Sequence, residues 1–344
     1  MIEVDGSYGE GGGQLVRMAG GLAAITGQAM RISNVRARRN PPGLAPQHLA
    51  AVRAVAGLCA AKTEGLELRT KGFTLVPQKR PAGGEVRVDV GTAGGITLVL
   101  QALVPVLLAA SGPSRATLIG GTDVWHSPSW DYFSEVLLRH LSRMGLRVRA
   151  RIVRHGYYPR GGGEAVVEVE PGVARPFSAG DAAPGAPAIA GSVHVSNLPR
   201  AIAERMKAAA EEHLGPQPGI EIHRFGSAQA IGPGGAITLW ASGQAGPLGV
   251  SRVAQRGVRA ETLGHDAAAA LALEMASGAT LDEHAADQVL IFMAMADGPS
   301  SFTTREVSSH ASTAMRLIER FLPVKFEVVP EGALWRVRTA LAER

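Results

Sequence analysis

Apolar positions along this chain switch between a helical and a strand-like rhythm, and the switching repeats. Residues 15–25 follow a helical period, residues 29–35 alternate like a strand, and a polar loop (36–47) leads to a second helical run at 48–62. The order recurs with a helix at 97–110, a strand at 115–119, a loop at 120–130 and a helix at 131–144. It recurs again with a helix at 283–296, a strand at 301–305, a loop at 306–309 and a helix at 310–322. Each copy then passes into a further strand, at 66–76, 147–153 and 325–329. Two helices and several strands per copy predict sheets covered by helices on one face, the three copies packing about a pseudo-threefold axis so that their loops meet.

Turn glycines set the period. Gly27 and Gly112 are 85 residues apart, whereas Gly112 and Gly298 are 186 apart. The surplus, about one hundred residues, is the size of one small domain. A Gly/Pro/Ala-rich stretch at 179–187 marks one edge, and the other falls near 276–279. The expected organisation is a main domain of residues 1–182 and 277–344, with an inserted domain at 183–276. Within the insert the pattern predicts strands at 192–195, 220–225 and 236–241 and helices at 200–213 and 260–276.

Hydrophobic residues make up 46% of the 344, enough for a real core, and one cysteine, Cys59, rules out an internal disulfide. The longest apolar run, 98–110, contains Gln101 and Pro105 and is too short to span a bilayer. With an acidic start and no signal-peptide pattern, the chain reads as soluble and cytoplasmic. Charge is uneven: residues 1–160 carry +10 and the remainder −5. The basic half suggests a polyanionic partner.

Candidate chemistry begins with V-D-G-S-Y-G-E-G-G-G-Q-L-V-R, residues 4–17. Glycine lets the backbone bring its N–H groups close to a ligand, and the helix that follows adds the positive end of its dipole. Together these suit a phosphate. Glu10, Gln14 and Arg17 are spaced to share one helix face if the helix starts early enough. No glycine is followed by lysine, so no P-loop is present, and the dinucleotide fingerprint lacks its third glycine and its acidic residue. In the first copy's loop, R-A-R-R-N-P-P-G-L-A-P-Q-H offers guanidiniums for phosphate. In a second basic run, R-H-G-Y-Y-P-R-G-G-G-E, Tyr157 and Tyr158 with Arg154 and Arg160 can stack on bases and meet phosphates, or form a plain hairpin.

In the third copy, Thr280 and Glu283 read as a capping box opening a helix on which His284, Asp287 and Gln288 form a polar stripe. In V-S-S-H-A-S-T-A, Ser308 or Ser309 caps a helix and His310 falls in its first turn, where the dipole favours a neutral imidazole. A neutral imidazole beside an anion site is a nucleophile toward phosphorus. No H-E-x-x-H, C-x-x-C, G-x-S-x-G or K-x-D-G pattern competes with it.

These motifs, with G-T-A-G-G-I-T-L-V-L-Q and E-H-A-A-D-Q-V, closely resemble the RNA 3′-terminal phosphate cyclase family, in order and over nearly the whole chain. The resemblance implies an α/β (α+β type) fold: three repeated units of a four-stranded sheet with two helices about a pseudo-threefold axis, plus one inserted small α/β domain. It implies ATP as cofactor, an RNA with a 3′-phosphate end as partner, and conversion of that end to a 2′,3′-cyclic phosphate through a histidyl-AMP adduct. It makes His310 the nucleophile and Glu10 the ligand of Mg²⁺ or Mn²⁺. It places ATP on Gln101, His284, Ala285, Ala286, Asp287 and Gln288, and gives Arg17, Arg39 and Gln47 the phosphates or the RNA end. Arg38 departs from the family's usual Gly, and Gly95 from a small polar residue. The alternative is a non-catalytic, cyclase-like RNA-binding protein of ribosome assembly; an intact H-x-x-T with Glu10 and Asp287 favours the enzyme.

Overall fold

The computed structural model describes residues 1–178, 187–216, 219–243 and 246–341. The expected linker, 179–187, lies outside the described residues except for Pro187.

The first repeat runs β1 (Ile2–Asp5), α1 (Gly13–Thr26), β2 (Met30–Ser33), α2 (Pro46–Leu58), β3 (Lys62–Glu64) and β4 (Phe73–Val76). Its sheet order is β1-β2-β4-β3, with β1 and β2 parallel and the other pairs antiparallel. Of the strand expected over 66–76 only Phe73–Val76 forms; β3 precedes it, and the chain turns between the two from Gly65, whose φ of 68° is left-handed.

The second repeat follows the same plan: β5 (Gly84–Asp89), α3 (Ile96–Leu108), β6 (Ser114–Gly120), a second helix, then β7 (Val148–Arg154) and β8 (Gly163–Val169), in sheet order β5-β6-β8-β7. Its second helix comprises α4 (Trp130–Tyr132), a π-helical turn (Phe133–Leu137) and α5 (Leu138–Arg143). The run 154–164 is the hairpin joining β7 to β8, closed by Gly161 N–H donating to Tyr157 O at 2.7 Å.

The insert contains β9 (Ala188–Ser196), α6 (Arg200–Leu214), β10 (Gly219–Phe225), β11 (Gly234–Gly243), β12 (Gly246–Val253) and α7 (Ala260–Ser277), with sheet order β10-β9-β11-β12. The third repeat resumes with α8 (Glu283–Ala294), β13 (Ser301–Thr304), α9 (Ser309–Phe321), β14 (Val324–Glu331) and β15 (Leu334–Leu341). Among the described residues its sheet has three strands, β13-β15-β14, not four. The first-strand place is taken by the stretch before the insert, where Ala174 and Ser178 make single parallel bridges to Ala296 and Ser301. Pro176 has no N–H to extend that ladder. The insert thus interrupts the third repeat between its first strand and its first helix.

The first helices of the three repeats, α1, α3 and α8, meet in the main core. α2 packs against α1 and α3, and α9 against α1 and α8. α3 is buried nearly all round, as its apolar sequence requires, and each fully buried leucine, such as Leu100 and Leu103, contributes roughly 1.5–3 kcal/mol. α9 is amphipathic, burying Ala311, Ala314, Met315, Ile318 and Phe321 at helical spacing. A second apolar cluster, including Val193, Met206, Ile220, Leu239 and Leu271, lies wholly within the insert's residues.

Polar contacts fasten the insert to the second and third repeats. The Ser129 and Thr238 hydroxyls are 2.8 Å apart, His140 Nε2 donates to Pro247 O at 2.8 Å, and Gly249 N–H donates to Asp282 Oδ2 at 2.9 Å. A Cβ at Gly249 would collide with Val136, so only glycine lets β12 approach the π turn this closely. Among the described residues no helix is long and apolar enough to cross a membrane.

Candidate active site

His310 stands in the first turn of α9. The helix is capped by Ser308, whose Oγ accepts from Ala311 N–H at 3.1 Å. His310 Nδ1 lies 2.6 Å from Gln14 Oε1. An amide oxygen can only accept, so Nδ1 carries the proton and Nε2 keeps its lone pair. Burial, with Arg17 and Arg39 nearby, holds the imidazole's pKa below its ordinary value, so the neutral ring prevails at pH 7.

The glycine-rich stretch forms a tight turn between β1 and α1. Gly9 and Gly11 have φ of 59° and 62°, and a Cβ on Gly9 would also strike Thr313 of α9. The turn is thereby pressed against the helix that carries His310. α1 begins at Gly13, so Glu10 sits in the turn rather than on a helix face with Gln14 and Arg17. There its Oε2 lies 2.7 Å from His310 Nδ1, and its other oxygen pairs with Arg39. Arg38 Nη1 donates to Gly9 O at 3.0 Å, tying the basic loop to the glycine turn. His48, under Gly13, is buried and held neutral, its pKa pushed down to about 2 by burial and by Arg17 and Arg36.

Beside His310 a cavity opens between α1, α3, α8 and the π turn. Its polar lining is Gln14, Arg17, Gln101, Asp287 and Gln288, and its apolar wall includes Leu100, Phe133 and Ile291. Arg17 Nη2 donates to Gln101 Oε1 at 3.0 Å. Burial lowers the Arg17 pKa to about 10, which still leaves it charged, while the nearby Asp287 partly offsets that fall. Burial and the neighbouring Asp282 raise the Asp287 pKa to about 8, with Arg17 opposing. The cavity therefore offers one fixed cation, amide groups and a carboxyl group that is mostly protonated at pH 7.

The other predicted residues are placed as follows. His284 is exposed at the start of α8, edge-on to Tyr132 with ring centroids 6.3 Å apart. Gln288 Nε2 donates to His284 O at 3.0 Å. Ala285 and Ala286 are buried in the main core. Gln47 is on α2, its Oε1 accepting from Gly95 N–H at 3.2 Å. The cap of α8 is Asp282, not Thr280: Asp282 Oδ1 accepts from His284 and Ala285 N–H, while the Thr280 hydroxyl is occupied by Thr303 of β13. Tyr157 is buried, Arg154 Nε donates to Gly162 O, and Tyr158 alone of the two tyrosines faces solvent. Gln14, unmarked by the resemblance although its spacing was visible, is the direct partner of His310.

Comparison with known proteins bears on this arrangement. The family model described as "RNA 3'-terminal phosphate cyclase" matches residues 8–328. Proteins named RNA 3'-terminal phosphate cyclase are similar over nearly full length: that of Nitrosospira multiformis at 52% identity (98% of this chain, 96% of that one) and that of Methanopyrus kandleri at 43% (95% of each). The one from Pyrobaculum neutrophilum is 42% identical over 96% of each chain. Among solved structures, the enolpyruvyl transferase NikO from Streptomyces tendae is similar at 9% identity and a TM-score of 0.40, over 98% of this chain and 47% of that one. With the family model spanning most of the chain and relatives this similar along its whole length, this enzyme belongs to the RNA 3′-terminal phosphate cyclase family.

Proposed function

We propose that the protein converts an RNA 3′-terminal phosphate to a 2′,3′-cyclic phosphate at the expense of ATP, with His310 as nucleophile. The observation that carries this is the His310–Gln14 contact, which leaves Nε2 bare on a neutral ring beside Glu10 and Arg39. Nε2 attacks the α-phosphorus of ATP, the bond to the bridging oxygen breaks, and pyrophosphate leaves. An oxygen of the RNA 3′-phosphate then attacks the histidyl-AMP phosphorus, the N–P bond breaks, and RNA(3′)pp(5′)A forms. The adjacent 2′-OH attacks the 3′-phosphorus and AMP departs; because that hydroxyl is on the same ribose, closure is intramolecular.

Arg17 would provide charge and Gln101 and Gln288 amides to the nucleotide; the space now between them is about 30 Å³, so these side chains must part to admit ATP. His284, Ala285 and Ala286 open the helix that supplies this wall, and Arg39 and Gln47 lie toward the basic loop, where phosphates or the RNA end would be held. Glu10 Oε2 is buried beside His310 Nδ1 without making a hydrogen bond, a carboxylate oxygen that fits Mg²⁺ or Mn²⁺, which take one or two carboxylates beside substrate phosphates. Such an ion would offset charge on the phosphates. The insert's own core supports treating residues 183–276 as a separate domain.

Incubation with [α-³²P]ATP and Mg²⁺ or Mn²⁺ should label the wild type and not His310→Ala. Labelling that survives the substitution rejects the assignment; tight RNA binding without ATP consumption points instead to a non-catalytic RNA-binding role.

A further inference from the structure

Away from His310, three chain segments converge on a buried cluster at the junction of the second repeat and the insert. Asp123 comes from the loop after β6, His155 from the hairpin after β7, and His194 from β9 of the insert. They are 1%, 5% and 1% exposed. His155 Nδ1 lies 3.3 Å and His194 Nε2 3.7 Å from the same oxygen, Asp123 Oδ2, and the three donor atoms are all within 4.8 Å of one another.

Both spacings exceed the ~2.9 Å at which hydrogen bonds centre, although that of His155 is still a hydrogen bond. They approach the edge of a tetrahedron about zinc, roughly 3.3 Å for bonds of about 2.0 Å. His194 Nε2 is buried with no hydrogen-bond partner among the described residues, 3.7 Å from the shared oxygen. Behind it, His194 Nδ1 faces Asp131 Oδ2 at 3.5 Å, the carboxylate–imidazole arrangement that orients metal-bound histidines. Asp123 is fixed in turn, Oδ2 accepting from the Thr122 hydroxyl at 2.7 Å and Oδ1 from Trp130 N–H at 3.1 Å. The His155 ring stacks on Phe225 at 4.2 Å between centroids and on Tyr157 at 6.1 Å. The rings are held in place before any ion arrives.

We propose that Asp123, His155 and His194 bind one zinc ion that fastens the insert to the second repeat. The fourth position falls to a water or to the Tyr157 hydroxyl, which is buried without a hydrogen-bond partner among the described residues. Since one ligand belongs to the insert and two to the second repeat, the ion adds a further link between them.

The test uses the full chain without an affinity tag, stripped with a chelator and then given Zn²⁺ or Co²⁺ alone. The expected result is about one tightly held equivalent per chain, a higher Tm with zinc, and visible Co²⁺ absorption of four-coordinate intensity. His194→Gln and Asp123→Asn should lose the zinc-dependent Tm rise, while His310→Ala should keep it. Less than about a tenth of an equivalent on folded wild type, or binding undiminished in His194→Gln, overturns the proposal and leaves a buried Asp–His ion pair. If those variants do not fold, paramagnetically shifted imidazole N–H signals in the cobalt-loaded wild type decide: their presence supports the site and their absence rejects it.

Discussion

The Tyr132 hydroxyl donates to Oδ1 of Asp282 at 2.6 Å, across a sequence separation of 150 residues. The same carboxylate caps α8 and accepts from Gly249 of the insert. One buried side chain thus joins the second repeat, the third repeat and the insert. Tyr132→Phe removes a hydrogen bond to a charged group and should cost about 1.5–3 kcal/mol, read from urea unfolding. An unchanged midpoint would mean that the contact carries no stability.

On the proposed reading, Gln14 positions His310 through their 2.6 Å contact. Gln14→Ala should leave Glu10 Oε2 as the acceptor beside Nδ1, weaken control of the tautomer and slow single-turnover adenylylation roughly 10²-fold, with little change in KM for ATP. Gln14→Glu keeps an acceptor and adds negative charge, so it should retain more activity while moving the acid limb of the rate profile to higher pH. Equal loss in both variants would contradict a tautomer-setting role.

Ser308→Ala should cost about 1 kcal/mol through the lost cap. Because His310 is two residues away in the same turn, adenylylation should fall roughly tenfold or more, beyond what the folded fraction explains. Denaturation and rate measured on one preparation separate the two effects.

Two pH dependences follow from the site's electrostatics. The His310 pKa is depressed, so its reactive neutral form grows as pH rises through a value under 6.5, and adenylylation should be level by neutral pH. Arg39→Gln removes one of the cations responsible and should move that limb upward in pH. Asp287 is shifted the opposite way: a carboxyl with pKa raised to about 8 makes folding less favourable as pH climbs from about 4 to about 8. Asp287→Asn should therefore raise Tm most at pH 8 and above, with the gain vanishing near pH 4. Thermal melts across that range check the sign.

Much of the architecture was legible because the signals were local. The period of α1, α3, α8 and α9 was plain in their apolar spacing, and a serine cap at 308 or 309 could be read from residue type, the structure making it Ser308. Some strands escaped: β5 (G-E-V-R-V-D) alternates but is short, β8 alternates poorly, and both are held by pairing with β6. Thr280 looked like a cap, but tertiary pairing with β13 occupies its hydroxyl and leaves the role to Asp282. The Gln14–His310 contact spans 296 residues and the Asp123–His155–His194 cluster joins three segments, so no window of sequence could reveal either.

The cavity's position among the first helices of the three repeats has a consequence for how its polar groups are matched. Gln101 and Asp287 each stand eleven residues ahead of Gly112 and Gly298, and Arg17 and Gln288 each stand ten ahead of Gly27 and Gly298. These groups therefore occupy nearly the same seat in successive copies of one motif, and the pocket arises where those seats face one another. A threefold frame has been made lopsided by side chains alone: a guanidinium on one wall, an amide on the next, a carboxyl and an amide on the last. No single copy encloses the pocket, so a chain truncated before its third copy would lose His310 and the α8 wall at one stroke.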